Sequence, residues 1–426
     1  MASMIILFSL VPTPLKYQGN WAFVFVPVLI LFSFLCEVYQ PEKFDFRERL
    51  SRSAIAVLLS AAVLILLPTP SGRNPVFIMI CLFLFFLLQN GWQILFHRFR
   101  GTSFFTDRVM VLGTGKVANN VENLIKAAHG RYEMLGYVST PMEGESVPSE
   151  HILGAMDDIV ELARHNLANV IVIAMTERRG NLSPEKLVSC KLMGVRILDY
   201  PTFYELVTGK IPVEHINPSW LFQSQGYIIT PFIRILKKIL DVVCSLALLT
   251  ICLPLFPLIA LAIKLDSPGP VFYFQKRVGL NGKPFTIYKF RSMGPDSEGD
   301  SGPSWATEND PRVTRFGMFM RRTRMDELPQ LLNVLKGDMS FIGPRPERPE
   351  FVDRIARITP YYTQRHAIKP GITGWAQVMY PYGASLGDAV EKLRYDLYYI
   401  NHLSLFLELL ILFETIKIVL FRRGGR

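Results

Sequence analysis

Near the C-terminal end of the chain two acidic residues, Asp326 and Glu327, stand directly before the apolar repeat Leu328, Leu331, Leu332 and Leu335. The i, i+3, i+4, i+7 spacing predicts an amphipathic helix, and Gly337 is placed to end it. Pro329 is tolerated only in a first turn, so the helix is expected to begin at about Asp326. Two carboxylates at a helix N-terminus have an ordinary reading as an N-cap and a first-turn acid that stabilise the helix. Their neighbours suggest another. Arg315, Arg321, Arg322 and Arg324 lie upstream, and Arg345 is stiffened between Pro344 and Pro346. Carboxylates beside fixed guanidinium groups suit a site that holds a divalent cation and a phosphate ester together. In such a site a carboxylate acts as nucleophile on a phosphorus whose charge is offset by metal and arginine.

Four segments occur in one order: Asp326-Glu327-Leu328, the run from Asn333 to Ser340, Gly343-Pro344-Arg345-Pro346, and the run from Lys369 to Val378. With them the chain from about Ile233 onward resembles the bacterial polyprenyl-phosphate sugar-1-phosphate transferases, the monotopic phosphoglycosyl transferases that begin exopolysaccharide and O-antigen assembly. The resemblance implies a UDP-sugar donor, a polyprenyl phosphate acceptor and release of UMP. It implies Asp326 as the nucleophile of a covalent aspartyl-phosphosugar intermediate, and Glu327 with Asp326 as the holders of Mg2+. Arg345, Arg321 and Lys369 are then expected to bind phosphates. Lys369 stands where arginine is frequent in the family, which keeps the charge but loses bidentate geometry. Lys289 and Arg291 belong to a motif that borders the active site in similar proteins; alternatively they are surface charges facing lipid headgroups. Trp375 either packs as core or borders the nucleotide base. A membrane-anchored nucleotide-sensing or scaffold protein with an inactive transferase domain is the competing function, and the joint presence of Asp326, Glu327 and Arg345 argues against it.

The rest of the chain must position these groups at a membrane. Half of its 426 residues are apolar, the mean hydropathy is +0.25, and the formal charge is +10. Membrane lipids with anionic headgroups suit this composition better than nucleic acid, for which no basic fold motif is present. Apolar stretches at Trp21–Cys36, Ala54–Leu67 and Pro75–Gln89 each approach the length of a bilayer span. Lys43, Arg47, Arg49 and Arg52 follow the first stretch, and His97, Arg98, Arg100 and Arg108 follow the third, whereas the loop between the second and third has only Arg73. The positive-inside rule therefore puts everything after about residue 96 in the cytoplasm, as expected of a multi-pass bacterial inner-membrane protein. Residues 1–11 are too short to span and lack the basic start of a signal peptide, so they read as the end of a first transmembrane helix or as an interfacial piece. Cys36, Cys81, Cys190, Cys244 and Cys252 have no metal or disulfide spacing.

From Arg108 the pattern alternates between strand and helix, with strands expected at Val109–Leu112, Met134–Val138, Val170–Ala174 and Val195–Leu198. This reads as a Rossmann-like α/β unit. Gly113, Gly115 and Ala118 match a G-x-G-x-x-A loop whose N–H groups cradle phosphate. The second strand runs into Val138-Ser139-Thr140 instead of the acid that binds ribose, so a plain tight turn remains the other reading. Resemblance to related transferases implies a regulatory or a dimerising role for this unit, the second of which would make the protein a homodimer.

Ile239–Ile263 is long enough to span, yet it contains Pro254 and Pro257 and is flanked by Arg234, Lys237 and Lys238 before and Lys264, Lys276 and Arg277 after. Positive charge on both flanks and interior prolines predict a re-entrant hairpin with both ends cytoplasmic. The family often has Ser-Pro at the bend, where this chain has Leu253-Pro254. Two strands joined by the Asn281-Gly282 turn follow, then a mobile loop over 295–310, a helix over 312–322 and a lid-like segment over 379–386. Leu405–Phe421, carrying Glu408, Glu414 and Lys417, reads as an amphipathic helix at the membrane interface. The fold class is thus a multidomain membrane protein: transmembrane helices over 1–100, a Rossmann-like domain over 101–225, and over 226–426 a mainly helical α+β monotopic phosphoglycosyl transferase domain with a re-entrant helix at about 234–264.

Overall fold

The computed structural model describes residues 19–39, 46–66, 75–99, 106–128, 130–141, 144, 146–175, 182–216, 230–294, 310–380, 383 and 385–421. The readings made above for residues 1–11 and 295–309, and for part of the lid-like segment, lie outside the described residues. The chain divides into two compact units, Met1–Tyr200 and Pro201–Arg426.

The first unit opens with helices α1 (Gly19–Leu35), α2 (Phe46–Leu66) and α3 (Pro75–Phe99). They pack through Phe25, Leu29, Leu64, Leu82 and Phe85, and Asn90 Nδ2 donates to Ser53 Oγ at 2.9 Å between α3 and α2. Leu58, Met79, Phe83 and Trp92 remain more than half exposed on the outer faces. Among the described residues, Ile78–Phe96 of the third stretch forms a helix long and apolar enough to cross a membrane, and Phe25–Leu35 of the first forms a shorter apolar one. Helix α2 starts earlier than its apolar stretch and takes Arg47, Glu48, Arg49 and Arg52 into its first two turns, where Arg52 pairs with Glu48 at 3.0 Å and Glu37 at 3.5 Å.

Next come β1 (Asp107–Leu112), α4 (Lys116–Ala127), β2 (Tyr132–Ser139), β3 (Ile152–Ala155), α5 (Ile159–His165), β4 (Val170–Ile173), α6 (Pro184–Leu192) and β5 (Arg196–Asp199). The five strands form one parallel sheet in the order β3-β2-β1-β4-β5. Residues Val109–Leu112 and Val170–Ile173 are buried throughout, as strands covered on both faces must be. Four strands fall where the apolar runs predicted them. The fifth, β3, was missed because its four residues include Gly154 and offer little alternation.

The second unit begins within α7 (Tyr200–Thr208) and continues with α8 (Pro231–Cys252), a 3-10 turn at Leu253–Leu255 and α9 (Phe256–Asp266). The hydrogen-bond ladder is thus interrupted at Pro254, whose missing N–H removes a rung. Pro231–Asp266 is the other segment apolar enough to cross a membrane, and Ile251, Leu253, Leu258, Leu261 and Leu265 are mostly exposed along it. Leu240, Cys244 and Leu248 of α8 pack on the main core of this unit, while Ile259 and Ile263 of α9 pack with Phe290 and Met320. Polar anchors fix each half. Asp241 Oδ1 accepts from Ser340 Oγ and Phe341 N, both at 2.8 Å, and Asp266 Oδ2 accepts from Phe316 N at 3.1 Å.

The remaining elements are β6 (Phe272–Val278) and β7 (Pro284–Phe290), paired antiparallel, then α10 (Arg315–Thr323), α11 (Gln330–Lys336), β8 (Ser340–Ile342), α12 (Pro349–Ile358), β9 (Gly371–Thr373), α13 (Trp375–Met379), α14 (Leu386–Asn401) and α15 (Leu405–Phe421). Asn281 at φ 54° and Gly282 at φ 75° make the left-handed turn that Asn-Gly favours. Strand β8 pairs parallel with β9, and Gly343 and Gly374 let the two backbones meet: a Cβ on Gly374 would lie 2.1 Å from Gly343 O. Helix α15 keeps Phe406 and Val419 exposed and encloses two of its charges. Glu408 and Lys417 are buried; Lys237 Nζ donates to both Glu408 oxygens at 2.9 and 2.8 Å and to Ile342 O at 2.9 Å, and Lys417 pairs with Glu414 at 2.7 Å. Glu408 and Lys417 are thus satisfied inside the protein.

A second buried ion pair joins the 3-10 turn Tyr362–Ala367 to α14. Arg365 donates through Nε and NH2 to Asp396 Oδ2 at 3.0 and 2.7 Å, with both side chains almost wholly buried. Removing one partner strands a buried charge, whereas replacing both by apolar residues does not. Arg365→Met is therefore expected to destabilise the chain by about 3–5 kcal/mol and the double variant Arg365→Met, Asp396→Leu by much less. Thermal and denaturant unfolding of the detergent-purified protein checks this; a single variant as stable as wild type contradicts it.

Candidate active site

Arg324 ends α10 in the left-handed region at φ 57°, a conformation that costs an ordinary residue about 1 kcal/mol. The chain then makes a 3-10 turn over Met325–Glu327, in which Glu327 N donates to Arg324 O at 3.2 Å and Leu328 N to Met325 O at 3.3 Å. Pro329 is the N-cap of α11, which begins only at Gln330. The single helix expected from about Asp326 is thus split into a 3-10 turn and a short α-helix, because left-handed Arg324 and Pro329 confine regular α hydrogen bonding to the residues beyond them. The expected apolar face also shifts. Leu332 is 43% exposed, whereas Gln330, Leu331, Asn333 and Val334 are buried, since α8 covers α11 on one side and β7 on another. Gly337 closes the helix at φ 93°.

With three residues per turn, the 3-10 geometry sends neighbouring side chains in well-separated directions. Asp326 and Glu327 are each 7% exposed, and their surroundings differ. Glu327 Oε1 accepts from Arg345 NH2 at 2.7 Å and Lys289 Nζ at 3.0 Å, and Arg324 NH1 lies 3.7 Å from Oε2. Burial opposes its ionisation, but Arg345, Lys289 and Arg324 prevail and hold Glu327 well below the usual carboxylate range. Asp326 accepts no hydrogen bond from any described residue. Burial first, and the adjacent Glu327 charge second, push its carboxyl up to about 6, against the pull of Lys289, Arg321 and Arg345. One carboxylate is therefore locked as an anion, and its neighbour is left free with a poised proton equilibrium.

Each cation comes from a separately anchored element. Lys289 sits on β7, whose Tyr288 N donates to Asn333 Oδ1 at 3.0 Å while Asn333 Nδ2 donates to Thr286 O at 2.8 Å, so Asn333 ties α11 to the lysine's strand. Arg345 follows β8, and its carbonyl accepts from Arg365 NH2 at 3.1 Å. Its guanidinium is 40% exposed, which leaves donors for a substrate anion. Arg321 Nε donates to Ser292 Oγ at 3.0 Å.

The structure thus brings together Asp326, Glu327, Lys289, Arg345 and Arg321. One expected phosphate ligand, Arg291, is engaged elsewhere. Arg291 is buried and donates through NH2 to Ser267 O at 2.7 Å and Ser267 Oγ at 3.0 Å, fastening the chain as it leaves α9. Lys369 Nζ lies 3.6 Å from where a Cβ on Gly337 would stand, at the C-terminus of α11, a place that favours a cation through the helix dipole. Trp375 takes the core alternative: its Nε1 donates to Gly209 O at 2.9 Å and its ring stacks on Tyr398. Gly113, at φ 123°, and Gly115, the N-cap of α4, lie in the other unit at the turn from β1. Asn333, which opens one of the four segments but was given no role, and Arg365, Asp396 and Asp241, which the sequence reading passed over, are positioning residues. Their only local signal is a polar group within an otherwise apolar or motif-bearing run.

No group of three or more His, Cys, Asp or Glu that could cage a metal occurs among the described residues. Mg2+ is commonly held by one or two carboxylates plus substrate phosphate oxygens. Asp326 and Glu327 offer such a partial set, although Glu327 Oε1 is already engaged by two cations. The residues therefore fit Mg2+ in company with a bound diphosphate.

The bacterial sugar transferase family profile matches residues 232–422. The chain is 42% identical over 240 residues to the UDP-N-acetylgalactosamine-undecaprenyl-phosphate N-acetylgalactosaminephosphotransferase of Aeromonas hydrophila, covering 56% of each. It is 33% identical over 326 residues to the undecaprenyl-phosphate glucose phosphotransferase of Komagataeibacter xylinus, covering 75% of this chain and 60% of that one. It is 43% identical over 199 residues to the exopolysaccharide production protein PSS of Rhizobium leguminosarum bv. phaseoli, covering 45% of this chain and 98% of that protein. The chain thus spans little more than half the length of the first two.

The free carboxyl has a stability consequence. A group that ionises near pH 6 when folded and near pH 4 when unfolded has no effect below both values; stability is lost as pH rises between them, and the loss is complete above pH 6. Asp326→Asn removes that penalty, so it is expected to stabilise the protein by on the order of 3 kcal/mol at pH 7.5 and progressively less toward pH 4. Melting curves across this range check it, and a variant that is destabilised at pH 7.5 contradicts it.

Proposed function

This chain belongs to the bacterial sugar transferase family, and from that membership and the geometry around Asp326 we propose that it moves a sugar-1-phosphate from a UDP-sugar to polyprenyl phosphate, releasing UMP, as the initiating step of a surface polysaccharide. The observation that carries this reading is a buried, unbonded Asp326 beside a Glu327 fixed by Arg345 and Lys289. In the first step an Asp326 carboxylate oxygen attacks the β-phosphorus of the donor. The bond from that phosphorus to the bridging oxygen breaks, UMP leaves with the electron pair, and the sugar phosphate stays on the aspartate as an acyl phosphate. In the second step an oxygen of polyprenyl phosphate attacks the same phosphorus and returns Asp326 to its carboxylate. Arg345 and Arg321 hold the phosphate oxygens, and Lys289 keeps Glu327 ionised and in place. Glu327 and Asp326 would hold Mg2+ alongside the substrate, and the ion would supply charge neutralisation when bound.

The acceptor's tail never needs to leave the bilayer if α8 and α9 dip into the cytoplasmic leaflet and return. The break at Leu253–Leu255, the exposed leucines along both halves, and the anchoring of Asp241 and Asp266 onto one body support this re-entrant arrangement. With α3 as a membrane span, the orientation of the basic residues supports a multi-pass inner-membrane protein whose second unit is cytoplasmic. The parallel order β3-β2-β1-β4-β5 supports the Rossmann-like reading of the middle of the chain. The relatives' names differ between N-acetylgalactosamine and glucose, so the donor sugar is the variable to test.

The decisive assay measures UMP release from a panel of UDP-sugars with Mg2+ and polyprenyl phosphate. Release is expected to depend on acceptor and to fall at least about a thousand-fold in Asp326→Asn. Because the nucleophile must be ionised, the rate is expected to rise with pH through about 6 and level off above 7. Wild-type activity in Asp326→Asn, or no UMP from any donor, contradicts the proposal.

A further inference from the structure

Between β5 and α8 the chain lays a strap along the second unit, made of the last turn of α7 from Glu205 onward and residues 209–216. The strap precedes the profile match, which opens at residue 232. Ile211, Val213 and Ile216 are buried in the main core and seat it. Its polar groups are tied to two elements, and both lead to Arg345.

The first is α14. Lys210 Nζ pairs with Glu391, Arg394 NH2 pairs with Glu214 Oε1 at 2.7 Å, and Ile211 N donates to Arg394 O at 3.0 Å. At the end of the helix the buried Glu205 accepts from Asn401 Nδ2 at 2.9 Å and meets His402 Nε2 at 2.7 Å. Glu391 and Asp396 stand about 140° apart around the helix axis, so the strap and Arg365 take different faces of one rod. Asp396 holds Arg365, Arg365 NH2 donates to Arg345 O at 3.1 Å, and Arg345 NH2 reaches Glu327 at 2.7 Å. The second element is the turn from β9 into α13, where Trp375 Nε1 donates to Gly209 O at 2.9 Å. Trp375 directly follows the β9 backbone, on which Gly343 N donates to Thr373 O at 2.8 Å and Gly371 N to Pro344 O at 2.9 Å. Both routes are short and every link is a hydrogen bond, an ion pair or the chain itself.

We propose that Glu205, Gly209 and Lys210 make this strap a positioning element for Arg345, so that the phosphate affinity of the site is set in part by residues that leave the parallel sheet and lie outside the catalytic profile. The inference rests on the proposed role of Arg345 in holding donor phosphate. Apolar packing alone would seat the strap; partly buried ion pairs add little net stability but fix register. The Lys210–Glu391 side chains are 18% and 20% exposed, so solvent screens this pair less than a surface one. Arg345 already has one end committed to Glu327, and a small displacement of its carbonyl alters how its remaining donors meet a substrate anion.

The test titrates inorganic pyrophosphate into the purified full chain as wild type, Lys210→Glu, the charge swap Lys210→Glu with Glu391→Lys, Arg345→Gln, and Lys210→Glu combined with Arg345→Gln. Affinity is expected to fall about fivefold in Lys210→Glu, to recover in the swap, and to fall no further when Lys210→Glu is added to Arg345→Gln. In turnover, Lys210→Glu is expected to raise KM for the UDP-sugar by a similar factor and to leave kcat within about twofold. Trp375→Phe keeps a ring beside Tyr398 and removes the tie to Gly209 O, and it carries the same expectation where Lys210→Glu does not fold. Wild-type binding in these variants, no recovery in the swap, or a loss that adds in full to that of Arg345→Gln overturns the inference and leaves the proposed reaction standing. Wild-type binding in Arg345→Gln instead contradicts the phosphate role of Arg345, and the strap's role falls with it.

Discussion

The pairing of Glu327 with Arg345 and Lys289 is the interaction on which the candidate site depends. Two adjacent buried carboxylates cannot both ionise cheaply, since each raises the cost of charging the other. Committing both cations to Glu327 resolves the competition: one acid becomes a permanent anion and the other keeps an unbonded carboxyl with a raised pKa. A nucleophile needs that freedom, because a carboxylate already bonded to fixed guanidinium groups is a poor attacking group. The arrangement is unfavourable for the fold by itself, and such local cost is typical where function constrains structure.

Because the cations come from distant parts of the chain, the site inherits the rigidity of several anchors. Asn333 joins the lysine's strand to the helix behind the acids. The Arg365–Asp396 pair holds the arginine's carbonyl, and Asp241 holds the strand that leads to it. Asp241 lies on α8, so the apolar segment and the Arg345 loop are mechanically one piece. A lipid-borne phosphate arriving along that segment would meet groups already positioned with respect to it.

Much of the site was legible in the sequence, for an identifiable reason. Asp326, Glu327 and Arg345 sit in short motifs whose chemistry is local, and the Asn281-Gly282 turn and the buried strands of the parallel sheet announce themselves by turn chemistry and by apolar runs. What failed depended on tertiary context. The helix start shifted because Arg324 adopts a left-handed backbone, and the apolar face of α11 was misread because the helix is covered on more than one side. Arg291 carries the right charge, but its position on Ser267 is set by packing that no local pattern encodes.

The most direct measurement is peptide mass spectrometry of the protein incubated with Mg2+ and its active UDP-sugar without acceptor, then cleaved to isolate the segment containing Asp326 and Glu327. The account requires a sugar-phosphate adduct on Asp326 that is chased into lipid when polyprenyl phosphate is added, and that is absent from Asp326→Asn. An adduct on another residue, or turnover with no adduct at any time, would contradict it.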